Sequence, residues 1–193
     1  VATNGDVDED GVRITVIRGG EECTARARLL CGADGAHSWV RRRFRFGRPK
    51  EMMIGFQTEV TGYAGADGRL DLFTGEAVAP GLFAWVIPNG LTHRIGVWAR
   101  PDDLAGRSCE DLYDTLVTCP SWQHRYAEIR ETARYCGPIP TGFLRRVAKQ
   151  RILLYGDAAA ACKPTTGGGI GPGFEQVDAM HDALVAALSD DDL

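Results

Sequence analysis

The sequence predicts an α/β fold of α+β character, in which an inserted antiparallel sheet splits a layer of parallel strands. Three observations predict it. Ile152-Leu153-Leu154-Tyr155 is a short apolar run that stops at Gly156-Asp157, as a buried parallel strand delivering a carboxylate at its C-terminal edge does. A second strand-like run, Leu29-Leu30-Cys31, ends in the same way at Gly32-Ala33-Asp34-Gly35. Between the two, residues 51–140 alternate in the period of antiparallel strands and are punctuated by turn residues. The expected division is 1–50 and 141–193 in the flanking layer, with 51–140 inserted.

Taken in order, Asp6 to Gly11 reads as a turn, and Val12–Ile17 and Cys23–Leu30 alternate as a hairpin about Gly19-Gly20. A short helix over roughly 36–44 follows, with Ser38 or Asp34 near its start. Residues 41–50 hold six basic side chains in ten. They read as a solvated basic face at a domain border, with a phosphate reading open to Arg41 alone. Met52–Val60, Leu70–Gly75, Gly81–Pro88 and His93–Arg100 are strands, the last two joined through Asn89-Gly90, a hairpin signal. Ser108 caps a helix to Cys119, with Asp111 in its first turn and Leu112, Leu116 and Cys119 on one face; Trp122–Glu128 extends it. Ile129–Cys136 returns as a strand that Gly137-Pro138-Ile139-Pro140 ends, and 141–150 cross back.

The stretch after Asp157 carries the chemistry. Pro164-Thr165-Thr166-Gly167-Gly168-Gly169 is a loop where backbone can approach a ligand closely. A helix then starts at Ile170, with Gly171 and Pro172 in its first turn. Ile170, Phe174, Val177, Met180 or Ala183, Leu184 and Leu188 fall at helical spacing, which predicts one buried apolar face. The N–H groups and positive dipole end of a helix start favour anions. A carboxylate for a sugar hydroxyl, a glycine corner and such a helix start suit a large cofactor with a polyol and an electron-rich ring. The same residues also suit plain turn chemistry, with Asp157 as a cap. Gly167 to Gly173 does not fit the dinucleotide pattern G-x-G-x-x-G in any register.

Composition bounds the rest. The 193 residues are enough for one large domain or two small ones, and 44% hydrophobic with 25% charged residues is ordinary for a globular chain. A net charge of −4 argues against a general nucleic-acid binder. No apolar run approaches the length of a membrane span, and the first ten residues are unlike a signal peptide. Six cysteines without C-x-x-C read as free, mostly buried thiols in a reducing, cytoplasmic compartment, with no zinc site. The chain starts at Val1 and ends in Asp190-Asp191-Asp192-Leu193 just after a helix, so a fragment of a longer protein is expected.

Cys31-Gly32-Ala33-Asp34-Gly35-Ala36-His37-Ser38-Trp39-Val40-Arg41 resembles the Asp-Gly motif of flavoproteins with the p-hydroxybenzoate hydroxylase fold. Leu153 to Ala159 resembles their Gly-Asp motif, in the family's order. Lys163 to Ile170 is similar to the geranylgeranyl reductase branch; Ala160 stands where monooxygenases more often carry His. Phe83-Ala84-Trp85-Val86-Ile87-Pro88 and Gly96-Val97-Trp98 resemble the reductases' aromatic segment, departing at Phe83, Ile87 and Trp98.

The resemblance implies a Rossmann-like partial FAD-binding domain with an inserted substrate domain, lacking the family's G-x-G-x-x-G unit. It implies cofactor contacts from Asp34, Arg41, Gly156, Asp157, Pro164, Gly167, Gly168, Gly169, Ile170 and Gly171. It implies substrate contacts from Phe83, Trp85, Pro88 and Trp98, for which core packing is an equal reading. The implied reaction is hydride addition from reduced flavin to an isolated double bond of a prenyl lipid. The electron donor would be NAD(P)H or a ferredoxin, and the lipidic substrate makes peripheral membrane contact an expectation. A flavin hydroxylase using O₂ and a non-enzymatic domain without flavin are the alternatives.

Overall fold

The computed structural model describes residues 1–66 and 68–190. They divide into two compact units, Val1–Glu51 with Pro140–Leu193, and Met52–Ile139.

In the first unit, β1 (Ala2–Val7), β2 (Val12–Arg18) and β3 (Glu21–Ala27) form an antiparallel sheet in that order. The sequence reading missed β1: Asn4, Gly5 and Asp6 are poor strand formers, and pairing with β2 overrides their propensity. The turn it assigned to Asp6–Gly11 is correspondingly shorter, closed by Asp8 N donating to Gly11 O. The chain continues through β4 (Leu30–Gly32) into α1 (Trp39–Arg43). Both expected caps act on α1: Ser38 Oγ accepts from Arg41 N, and Asp34 Oδ2 accepts from Trp39 N and Val40 N.

The second unit is a five-stranded sheet with one helix. Its strands are β5 (Glu51–Thr61), β6 (Asp71–Gly75), β7 (Ala79–Asn89), β8 (Thr92–Ala99) and, after α2 (Cys109–Thr118), β9 (Arg130–Thr141). The spatial order is β6-β7-β8-β5-β9. One face of this sheet and α2 enclose the core, in which Phe56, Val60, Ala84, Val86, Ile95, Val97, Leu112 and Leu116 are buried. The capping box of Ser108 with Asp111 starts α2. Pro120 follows its end, so residues 123–125 form a separate 3₁₀ turn rather than an extension. The prolines that suggested an end at Gly137 do not end β9. It lies at the edge of the sheet, where Pro138 and Pro140 leave no inner ladder bond unmade.

Back in the first unit, β10 (Ala148–Lys149) and β11 (Ile152–Leu154) precede a 3₁₀ turn at Gly156–Ala159 and the long α3 (Ile170–Asp190). The sheet order is β10-β11-β4. β11 and β4 are parallel, with Ile152 opposite Leu30, Leu153 opposite Cys31 and Leu154 opposite Gly32. Val12, Val40, Phe46, Leu144, Ile152, Leu154 and Ala158–Ala160 form this unit's core.

Two expectations are corrected here. The apolar face of α3 is not buried as a whole: Ile170, Phe174 and Val177 are exposed, and the buried positions of the helix are Pro172 and Gln176. The thiols are all free but not mostly buried, since Cys23, Cys31 and Cys136 are exposed. Among the described residues, no helix is long and apolar enough to cross a membrane.

Candidate functional site

The parallel register of β4 and β11 sets the Asp34-Gly35 and Gly156-Asp157 tips side by side in the first unit. A cleft of about 480 Å³ opens there, lined by Ala33, Gly35, Tyr155, Gly156, Asp157 and Gly169, with Ile170, Gly173, Phe174 and Val177 of α3. The corrected face of α3 thus has a place: its first two turns present apolar side chains to the cleft.

Each tip is held by polar groups from other elements. The Asp34 carboxylate is tied to the first amides of α1. Burial opposes its charge, but the hydrogen bonds from Ser38, Val40 and Trp39 prevail and hold its pKa below the ordinary carboxylate value. Asp34 therefore shapes the loop that carries Ala33 and Gly35, and does not itself line the cleft.

Arg41 is 4% exposed; its Nη1 donates to Asp157 O and Ala158 O, and its Nη2 to Ala36 O. That corrects the phosphate reading. A guanidinium committed to three carbonyls is a brace between the two tips, not a ligand for a phosphate.

Asp157 is half-buried, and its Oδ1 accepts from the Cys162 thiol at 3.0 Å. Burial, and then the adjoining carboxylate, push the Cys162 pKa up to about 12, so the thiol keeps its proton. A Cβ at Gly169 would stand 3.1 Å from Asp157 Oδ1 and 3.2 Å from Cys162 Sγ, so only glycine closes over this pair without displacing it. Gln176 completes the frame: its Nε2 donates to Leu154 O at 2.7 Å, and its Oε1 accepts from Gly156 N at 3.0 Å.

Of the ten residues expected at the cofactor, Gly156, Asp157, Gly169 and Ile170 line the cleft, whereas Asp34, Arg41, Pro164, Gly167, Gly168 and Gly171 do not. Residues 163–168 fold back on themselves, with Lys163 N donating to Gly168 O and Gly167 N to Lys163 O. The sequence reading missed Ala33, Gly35, Tyr155, Gly173, Phe174, Val177, Cys162 and Gln176. Phe174 and Val177 were visible as members of the apolar stripe but assigned to burial. Nothing in the sequence marks Asp157 as the partner of Cys162, or Leu154 and Gly156 as the partners of Gln176.

In the second unit, the sheet face opposite the core carries Phe83, Trp85 and Trp98, with Phe83 set edge-on to both indoles. Trp85 Nε1 donates to Gln57 Oε1 at 3.2 Å. A cavity of about 320 Å³ is lined by Trp85, Gly55, Gln57, Tyr135, Pro138 and Ile139, among others. Of the four residues expected at the substrate, Trp85 alone lines it. Trp98 is on this face but only 1% exposed, and it lies outside the cavity. Pro88 lies at the end of β7, outside this cavity.

Comparison with known proteins accords with this geometry. Residues 2–78 match the model of a family described as FAD binding domain. Digeranylgeranylglycerophospholipid reductase 1 of Methanothermobacter thermautotrophicus is 27% identical over 100% of this chain and 49% of its own length. Geranylgeranyl diphosphate reductase of Rhodobacter capsulatus is 30% identical over 78% of this chain and 38% of its own. The chain thus spans half or less of the length of these relatives. A crystal structure of a geranylgeranyl bacteriochlorophyll reductase-like protein from Thermoplasma acidophilum superposes with a TM-score of 0.82 at 20% identity, covering 99% of this chain and 49% of that one. Sequence and fold agree: the chain is similar to geranylgeranyl and digeranylgeranylglycerophospholipid reductases, and residues 2–78 match an FAD binding domain.

Proposed function

We propose that this chain provides the flavin end of the cofactor site, and the substrate sheet, of an FAD-dependent oxidoreductase that saturates isolated double bonds of a geranylgeranyl-type lipid. The observation that carries the reading is the parallel pairing of β4 with β11, because it assembles one cleft from two motifs far apart in the chain. The cleft fits the flavin end of FAD in three respects. It holds a half-buried carboxylate, a glycine that closes over it, and a helix start with apolar flanks.

Asp157 accepts from a polyol hydroxyl of the cofactor. The amides of Gly169 and Ile170, which line the cleft at the start of α3, would serve the ring edge that becomes negative on reduction, where the dipole of a 21-residue helix would stabilise charge. Pro164, Gly167 and Gly168 shape the corner that leads to those amides. Ile170, Phe174 and Val177 give the ring apolar surface. Bound and reduced, FAD supplies the hydride; the protein supplies orientation and electrostatics. Residues 1–50 and 141–193 serve the cofactor, and 51–140 the substrate, with Trp85 and Ile139 offering apolar contact to a prenyl chain. Electrons come from a nicotinamide or a ferredoxin, in the cytoplasm at the membrane surface.

Two measurements test this. The purified chain is titrated with FAD and followed by flavin fluorescence, with saturable binding expected. It is then supplied with dithionite-reduced FAD and a geranylgeranylated glycerolipid, and mass spectrometry is expected to show hydrogen gained at the double bonds. Incorporation of labelled oxygen from O₂ would assign a hydroxylase instead. Absence of flavin binding would leave a non-enzymatic domain.

A further inference from the structure

Residues 41–50 and 142–151 hold ten Lys or Arg and no Asp or Glu, on a chain with 22 basic and 26 acidic residues. The fold of the first unit brings these two segments together. At one end, Lys149 Nζ donates to Phe44 O and Arg45 O and lies 4.7 Å from the centre of the Phe46 ring. At the other end, Gly142 abuts Lys50, whose Cβ is 2.8 Å from where a Cβ on Gly142 would be. The segments therefore run antiparallel, and Arg145-Arg146 and Gly47-Arg48 lie along them between these two contacts.

Part of the charge is spent within the fold. Arg41 braces the cleft, Arg151 is buried, and Arg43 pairs with Asp6. Arg45, Arg48, Lys50, Arg145 and Arg146 are exposed. Beside them Phe143 is 55% exposed, while its neighbour Leu144 is 8% exposed and belongs to the core. The backbone thus turns the leucine inward and the phenylalanine outward, two residues before the exposed Arg145.

We propose that this face docks the protein on an anionic phospholipid bilayer. Cations gather where a negative surface potential draws them, and an aromatic ring among them enters the headgroup boundary, gaining by burial what it lacks in water. The composition favours a bilayer over a nucleic acid. Single-stranded binders line a basic groove with successive aromatic platforms, and this face offers one exposed ring. The proposal deepens the prenyl-lipid reading by naming the surface on which such a substrate is met, and it rests on that reading for the setting alone.

The test is co-flotation of the purified chain with vesicles of phosphatidylcholine, and with vesicles in which part of that lipid is replaced by phosphatidylglycerol. Binding is expected to the anionic vesicles only, and to fall as salt is raised. R145E/R146E is expected to weaken it by about tenfold or more, and Phe143→Ala severalfold. Equal partition to neutral and anionic vesicles, or unchanged binding by R145E/R146E, would overturn the proposal. So would a fluorescent oligonucleotide that binds this face while vesicles do not. The same variant is titrated with FAD, where its curve is expected to match that of the parent chain. A loss of flavin binding by the parent chain thus counts against the proposed function, and a loss of flotation against the docking face.

Discussion

Asp157 shows how much one side chain depends on its neighbours. Its carboxylate is positioned by the Cys162 thiol, its carbonyl by Arg41, and the amide of the preceding Gly156 by Gln176. Cys162→Ala removes the donor to Oδ1 and is expected to weaken FAD binding about three- to tenfold, whereas Cys162→Ser restores a donor and keeps most of the affinity; a flavin fluorescence titration separates the two. Asp34 gives a pH prediction. Its folded pKa lies below the ordinary value, so its stabilising contribution is present above about pH 4 and is lost as pH falls through the folded pKa. Asp34→Asn is expected to cost about 1 kcal/mol at neutral pH and to flatten stability below about pH 4, read by urea unfolding across pH. Asp34 and Asp157 were both legible as carboxylates at strand tips. That Asp34 is used up as a cap while Asp157 lines the cleft was not, because the choice rests on where Trp39 N, Val40 N and Cys162 Sγ lie in space.

At the scale of elements, β7 and β8 meet with Trp85 opposite Gly96. A Cβ at Gly96 would fall 2.2 Å from the Trp85 indole, so Gly96→Ala must displace that ring from over the strand. The expected result is a stability loss of about 1–3 kcal/mol with a changed tryptophan emission spectrum, checked by thermal unfolding and fluorescence. Ser108→Ala breaks the capping box of α2 and is expected to cost about 1 kcal/mol by the same unfolding measurement. Most strands and both shorter helices were readable from period and punctuation. β1 was not, because its residues gain their conformation from the neighbouring strand rather than from their own preferences. Nor was the course of β9 past Gly137, because a proline forbids an inner strand but not an edge, and position in a sheet is not a local property.

At the scale of the whole chain, each compact unit has its own core and its own cavity. No G-x-G-x-x-G occurs in the 193 residues, and the residues that frame the cleft suit a ring and its polyol rather than an adenine nucleotide. FMN is therefore expected to compete with FAD for this chain and ADP is not, a comparison that one displacement titration makes.

By itself the sequence determined that two strands end in carboxylate–glycine tips, that a glycine corner leads into a helix, and that an alternating sheet lies between them. These are local patterns, set by side-chain period and by backbone restrictions at Gly and Pro. Only the tertiary structure decided that the tips pair in parallel register, and that Arg41 is consumed as a brace. It alone turned the first half of α3 outward to the cleft, buried Trp98 on the sheet face away from the core, and brought two basic segments together. Each of these depends on which distant group satisfies a hydrogen bond or covers an apolar surface, and no stretch of chain carries that information alone.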